Sequence, residues 1–296
     1  MPKFPKWIEK KISYEIMHKL SPLYKSILRE PRFDVAINAL NYKRSKIIEL
    51  FKNEKISTIL TKCSPYGITL DSRIPKYNIS KIKKNFFEVQ DEGSQIVTLL
   101  IKPTKGKKIL DLCAGKGTKT IFMHNVFVNN EKIYAYDKDQ SRLSKLKRRA
   151  EDLNLKNIKI LTDIEAYKNS FDFVICDVPC SGTGIWRRRP EDIIKLNKTN
   201  LRLLLEKQKK ILESARKLCR KDGEIIYITC SLISDENEQQ IKRFLKINKT
   251  FSLINLEQKW NNTFDKKICF ENKNWLTLAP NIFNTDGYFI CILKNK

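Results

Sequence analysis

From about residue 87 onward, apolar strand-like runs alternate with helix-like stretches, and few folds accept that order. A parallel-based sheet covered on both faces by helices satisfies it. Strand runs are read over 108–112, 132–136, 157–161, 171–176 and 224–228, and helices near 94–101, 118–125, 139–153, 200–220 and 235–247. The last helix carries Asp235 and Glu236 in its first turn, where carboxylates complement the helix dipole. Ahead of this lies a different pattern. Trp7, Ile8, Ile12, Ile16 and Leu20 recur at helical spacing, and an alternating strand follows over 33–38, then a helix over 44–52. Short apolar strands around 56–60 and 66–70 come next, bounded by Pro65-Tyr66-Gly67 and Pro75. The stretch 75–84 is basic and rich in breakers, which reads as a hinge. Two parts are therefore expected: residues 1–86 and residues 87–296.

In an open α/β sheet, ligands bind beyond the carboxyl ends of the strands. Two of the eight cysteines fall there: Cys180 within Asp177-Val178-Pro179-Cys180-Ser181-Gly182, and Cys230 within Thr229-Cys230-Ser231. The segment from Lys108 to Thr120 reads as a buried strand, a turn bearing Gly115 and Gly117, and a helix start. Glycine lets a backbone turn sharply and approach a ligand closely. Twenty residues past Gly117 stands Asp137, the position from which an acid binds ribose hydroxyls, so a nucleoside cofactor is implied. A Walker phosphate loop is excluded because Cys113 and Thr118 stand where its glycines belong, and Thr120 replaces the third glycine of a dinucleotide fingerprint. On its residues alone the loop also fits an ordinary strand-to-helix turn.

Five blocks in order carry a resemblance: Phe87 to Gln95, Asp111-Leu-Cys-Ala-Gly-x-Gly-x-Lys-Thr120, Asp177-x-Pro-Cys-Ser-Gly-Thr-Gly184, Thr229-Cys-Ser-x-x-x-x-Glu-Asn237, and Thr285 to Phe289. Together they resemble the NOL/NOP/Sun family of RNA cytosine-5 methyltransferases. The resemblance implies a Rossmann-like S-adenosylmethionine-dependent methyltransferase domain. Its seven-stranded mixed sheet has the last strand antiparallel, ending over 288–293, and the small α/β region ahead of it recognises RNA. It also implies a mechanism. Carbon 5 of cytosine is a poor nucleophile, so a thiolate first adds to carbon 6, and covalent catalysis splits one hard step into easier ones. By this likeness Cys230 is the attacking thiol, Cys180 assists product release, and Asp177 hydrogen-bonds the base. Lys119 is the nearest candidate for the positive group that a thiolate needs. Cofactor contacts are implied for Cys113, Ala114, Gly115, Lys116, Gly117, Thr118 and Lys119, with Asp137, Asp163 and Asp177. Gly115, Lys116 and Thr118 depart from the commoner family loop, and Asp163 also reads as a helix N-cap.

Composition points the same way. A formal net charge of +25 favours a polyanionic partner, and residues 1–90 hold 19 Lys/Arg against 8 Asp/Glu, a net +11. Beside the catalytic loop, Trp186, Arg187, Arg188 and Arg189 join an aromatic face to three guanidiniums, which suits stacked bases and phosphates. A solvated turn with a buried Trp186 is the alternative. Cys63, Cys176, Cys219, Cys269 and Cys291 read as small buried hydrophobes. With only His18 and His124 and no second paired-cysteine motif, no metal is expected. No apolar run reaches membrane-span length, the start Met1-Pro2-Lys3-Phe4-Pro5-Lys6 lacks a signal-peptide core, and unpatterned cysteines suit a reducing compartment. A cytoplasmic monomer acting on ribosomal RNA is expected, with transfer RNA as the alternative substrate. A DNA cytosine-5 methyltransferase would need its attacking thiol in a Pro-Cys pair with a Glu-Asn-Val block, which is missing. A noncatalytic RNA-binding or assembly factor would have no need of Cys230.

Overall fold

The computed structural model describes residues 4–12, 16, 20–71, 85–127 and 132–296. The hinge expected over 75–84 lies outside the described residues. The smaller sheet comprises β1 (Phe33–Ile37), β2 (Thr58–Leu60), β3 (Gly67–Leu70) and β4 (Phe87–Val89), antiparallel in the order β2-β3-β1-β4. Helix Arg44–Asn53 lays Ile47 and Phe51 against Val35, Ile37, Ile68, Leu70 and Phe87. Alternation in β1 does not mean a wet face. Asp34 is 2% exposed and accepts hydrogen bonds from Thr69 Oγ1 at 2.7 Å and Glu92 N at 3.0 Å. Because β4 pairs with β1, this sheet extends through Val89, past the boundary expected between 86 and 87.

The apolar spacing from Trp7 to Leu20 does not produce one continuous helix. A short helix covers Lys6–Glu9, Ile12 forms an isolated antiparallel bridge with Ile233, Ile16 is helical, and a further helix spans Leu20–Ile27. Lys11 O accepts from Ser234 N at 2.7 Å, so a distant strand-like partner takes hydrogen bonds that a helix would have used.

Among the described residues the larger sheet has eight strands: β5 (Lys108–Asp111), β6 (Lys132–Ala135), β7 (Ile158–Ile160), β8 (Phe171–Asp177), β9 (Cys219–Thr229), β10 (Phe251–Leu253), β11 (Trp275–Leu278) and β12 (Tyr288–Asn295). Strand order is β7-β6-β5-β8-β9-β12-β10, with β11 also on β12. Strands β5 to β9 pair in parallel, and β12 runs antiparallel to β9, β10 and β11. The antiparallel β12 matches expectation, whereas the count is eight rather than seven. β10 and β11 are three and four residues long, too short to declare a period in sequence.

Helices Glu92–Leu99, Thr118–Phe127, Gln140–Asp152, Lys198–Leu218 and Glu238–Ile247 connect or flank these strands. One face buries Ile109, Ile175, Ile226 and Ile228 against Ile96, Phe122 and Trp260. The other buries Leu110, Val174, Ile225 and Tyr227 against Leu212, Ala215 and Ile241. Strand order reverses between β5 and β8, which opens a crevice beyond their carboxyl ends.

Candidate active site

Asp111 closes β5, and the chain turns into the helix Thr118–Phe127 through two left-handed glycines, Gly115 (φ 55°) and Gly117 (φ 86°). A Cβ on Gly117 would lie 2.1 Å from Leu146 Cδ1, so close packing and backbone conformation both require glycine there. Nothing lies within 4 Å of a Cβ placed on Gly115, so a ligand can reach that backbone. Asp137 fastens the turn. Its Oδ2 accepts from Gly115 N and its Oδ1 from Asp139 N, both at 2.8 Å. Asp111 is 1% exposed and accepts from Thr120 Oγ1 at 2.7 Å. Burial pushes its carboxyl up to about 7 against that hydrogen bond, and the Asp177 charge adds to the rise.

A cavity of about 990 Å³ sits at the crevice. On one side it is walled by Asp111 to Lys116, Thr118, Lys119 and the segment Tyr136 to Asp139, and on the other by Asp177 to Gly182 and Cys230. The first half suits a nucleoside-bearing group: the Gly115 backbone is open, the Asp137 carboxylate is half-buried, and Leu112 and Ile164 supply apolar wall. Gly117 lies behind this wall, and Lys116 is exposed on its rim. Asp163 is exposed and does not line the cavity. Its Oδ1 accepts from Glu165 N at 3.0 Å, the local capping use that the sequence also allowed.

The two thiols meet. Cys180 Sγ lies 3.3 Å from Cys230 Sγ, and Cys230 N donates to Cys180 Sγ at 3.3 Å. The hydrogen bond with Cys230, then burial, then the nearby charges push the Cys180 thiol well above its ordinary range. Lys119 Nζ donates to Asp177 Oδ2 at 2.7 Å. Burial works against the Lys119 charge, but Asp177 beside it, aided by Cys230 and Asp111, holds its pKa above the ordinary value, so it stays cationic. Gly184 ties the two turns to a third segment. Its N–H donates to Cys230 O at 2.9 Å, and its carbonyl accepts from Gly287 N at 2.8 Å. A Cβ on Gly184 would sit 2.3 Å from Gly287 O.

The expected nucleic-acid patch is only partly available. Trp186 is fully buried with Phe4, Ile8, Leu23 and Leu232, because the amino-terminal helices pack over it. The Arg187 side chain is 1% exposed and pairs with Asp286 at 2.6 Å. Arg188 bonds Asp286 and lies 3.1 Å from Asp91. Trp186 and Arg187 are buried within the fold, Arg188 is exposed although ion-paired, and of the four only Arg189 lines the cavity. Lys207 and Lys210, exposed on helix Lys198–Leu218, join it there. Their three-residue spacing, which shares a helix face, was the signal that could have found them. Glu236 belongs to the short turn Ser234–Glu236 rather than to a helix start, and it faces inward. Cys176, Cys219 and Cys291 are buried as expected, whereas Cys63 is half-buried and Cys269 is exposed. Among the described residues no group of three or more His, Cys, Asp or Glu side chains could hold a metal ion.

The model of the family described as 16S rRNA methyltransferase RsmB/F matches residues 98–294, which include both cysteine turns and the glycine turn. The chain belongs to that family. Ribosomal RNA small subunit methyltransferase B of Photorhabdus laumondii is 28% identical over 297 residues, covering 99% of this chain. The chain spans 66% of that relative's length and 59% of the same-named protein of Yersinia enterocolitica. Among solved structures, PH0851 superposes with a TM-score of 0.88 at 23% identity, covering 99% of this chain and 66% of that one. NSun6 from Pyrococcus horikoshii, solved with SFG, gives 0.79 at 19%, covering 99% and 98%. Both likenesses bear on the fold alone and show the Rossmann-like architecture described above.

Proposed function

We propose that the protein transfers a methyl group from S-adenosylmethionine to carbon 5 of cytosine in RNA, ribosomal RNA foremost, through a covalent adduct on Cys230. The observation that carries this reading is the pair of thiols 3.3 Å apart on one cavity wall, facing the glycine turn and Asp137. S-adenosylmethionine supplies an electrophilic methyl group when bound, and its nucleoside would be held by the Gly115 backbone and Asp137. Cys230 adds to carbon 6, forming an S–C bond and sending the ring electrons to carbon 5. Asp177 engages the base, and the buried Lys119 cation beside it stabilises both that carboxylate and the Cys230 thiolate. Once carbon 5 is methylated, its proton passes to water or another base at the open cavity, the C–H electrons re-form the carbon 5–carbon 6 double bond, and the S–C bond breaks so that Cys230 departs as thiolate. Cys180, held as a thiol within reach of Cys230, assists that release. Arg189, Lys207 and Lys210 meet RNA phosphates at the rim. A cytoplasmic setting suits a substrate of this kind. No described helix is long and apolar enough to cross a membrane.

The test is transfer of tritiated methyl to ribosomal and transfer RNA from a deletion strain, with bisulfite sequencing to locate the base. Cys230→Ala should abolish transfer while calorimetry finds cofactor binding intact. Full activity in that variant refutes the adduct, and exclusive labelling of transfer RNA refutes the ribosomal substrate.

A further inference from the structure

Glu236 is fully buried between the two cysteine-bearing turns and does not line the cavity. From the Cys180 turn, Ser181 N donates to its Oε1 at 2.9 Å and Ser181 Oγ donates to its Oε2. From the Cys230 turn, Ser231 Oγ donates to Oε2 at 2.5 Å. A third element contributes Gln208 Nε2, which donates both to Glu236 Oε1 at 2.9 Å and to Pro179 O at 3.1 Å. Gln208 is itself held, since its Oε1 accepts from Gln240 Nε2 at 3.2 Å. Finally, the Glu236 carbonyl accepts from Tyr227 Oη at 2.7 Å, which pins the backbone to β9.

A carboxylate taken out of water is costly unless its lone pairs are met. Here four donors from three segments meet both oxygens, and two of those segments carry the thiols. We propose that Glu236 is a positioning residue that sets the spacing of Cys180 and Cys230. It acts through Ser181 and Ser231, the residues that follow the two cysteines, rather than by touching substrate. Two backbone contacts also join these turns, Cys230 N to Cys180 Sγ and Gly184 N to Cys230 O. The Ser181 and Ser231 hydroxyls also lie 3.0 Å apart, and Leu232 N donates to Thr183 Oγ1 at 2.7 Å; among these links Glu236 is the group that accepts from both serines at once and ties them to Gln208. The consequence for catalysis rests on the adduct mechanism, but the spacing itself does not.

Reach distinguishes this role from mere charge. Aspartate keeps the charge but withdraws the carboxylate by about one methylene, roughly 1.5 Å, so bonds near 2.9 Å become too long to hold both turns. Glutamine keeps the reach, and the two serine hydroxyls can rotate to accept from its amide. The measurement is the rate at which diamide joins Cys180 to Cys230 in the full chain, read by peptide mass spectrometry. In that reaction the two thiols give up two protons and two electrons to form the S–S bond, and the diamide N=N bond is reduced to a hydrazine. Glu236→Gln should link at nearly the parental rate. Glu236→Asp should link about ten- to a hundredfold more slowly, the penalty of a misplacement near 1 Å, with cofactor affinity unchanged and, in the methyl-transfer assay, kcat reduced at constant KM. If Glu236→Asp does not fold, Ser231→Ala removes one arm and should slow linking in the same sense. Parental linking in a folded Glu236→Asp or in Ser231→Ala overturns the proposal, as does equal loss in the Gln and Asp variants. Because the linking rate needs no RNA and no methyl transfer, failure here is separable from failure of the proposed activity.

Discussion

Replacing Arg187 by leucine tests whether that residue holds the fold or meets RNA. Its guanidinium is 2.6 Å from Asp286 and 3.6 Å from Asp91, and the side chains of the two acids are 3% and 6% exposed. Burial first, and then the Asp286 charge, push the Asp91 carboxyl up to about 7, while Arg188 and Arg187 work against that rise. Without Arg187 the two acids share Arg188, whose side chain is 31% exposed. Removing one member of a buried pair costs about 3–5 kcal/mol, a large part of the ~5–15 kcal/mol that holds a typical domain together. An exposed arginine would cost about 0–1 kcal/mol instead. Urea unfolding of parent and Arg187→Leu at neutral pH reads the difference, and Asp286→Asn added to it should restore part of the loss. A phosphate contact would behave otherwise, since its removal would lower the salt slope of RNA binding by about 0.7 and leave stability alone. A loss below about 1 kcal/mol with a changed salt slope would refute the structural assignment.

Cys180→Ala should still add to cytosine and then stall, leaving a ribonuclease-sensitive band of retarded mobility on a denaturing gel that disappears when Cys230→Ala is added. Trapping in Cys230→Ala alone would reverse the two roles. Asp111 carries a folded pKa raised from 3.8 to about 7, so between those values the folded chain binds a proton that the unfolded chain has released. Stability from this group is therefore full below the lower value and lost as pH rises to the upper, by roughly 4 kcal/mol. Asp111→Asn should flatten the fall measured by denaturation across that window, and an unchanged slope would count against the buried carboxyl as its source. Asp137→Ala should weaken S-adenosylmethionine binding about ten- to a hundredfold by calorimetry, because it removes an acceptor and frees the Gly115 turn. Charge reversal at Lys207 and Lys210 should reduce the salt slope of RNA affinity but not cofactor affinity, and an unaltered slope would move the RNA path elsewhere.

Chemistry that must sit at strand ends was readable from the chain. Cys180, Cys230, Asp137 and the two glycines each follow an apolar run, and a sheet delivers such positions to one crevice. Environment was harder to read. Trp186 and Arg187 look the same in sequence whether they face water or are covered, and what covers Trp186 begins at Phe4. The acids that claim Arg187 lie 195 positions apart, a pairing that no local spacing announces. Glu236 was visible as part of a block, but beside Asp235 it read as a first-turn acid complementing a helix dipole. Only the tertiary structure turns one inward and leaves the other to pair with Lys11.

The contact of Gly184 with Gly287 has a bearing on how the molecule is made. A ribosome delivers this chain in order, and Cys230 emerges well before Gly287 and β12, which fills the place between β9 and β10 in the large sheet. Until residues 288–295 emerge, one edge of β9 is bare and the Cys230 turn lacks its third support. The site therefore assembles late in synthesis, and a fragment cut short of β12 would present the open edge of β9 to other strands instead of a working pair of thiols.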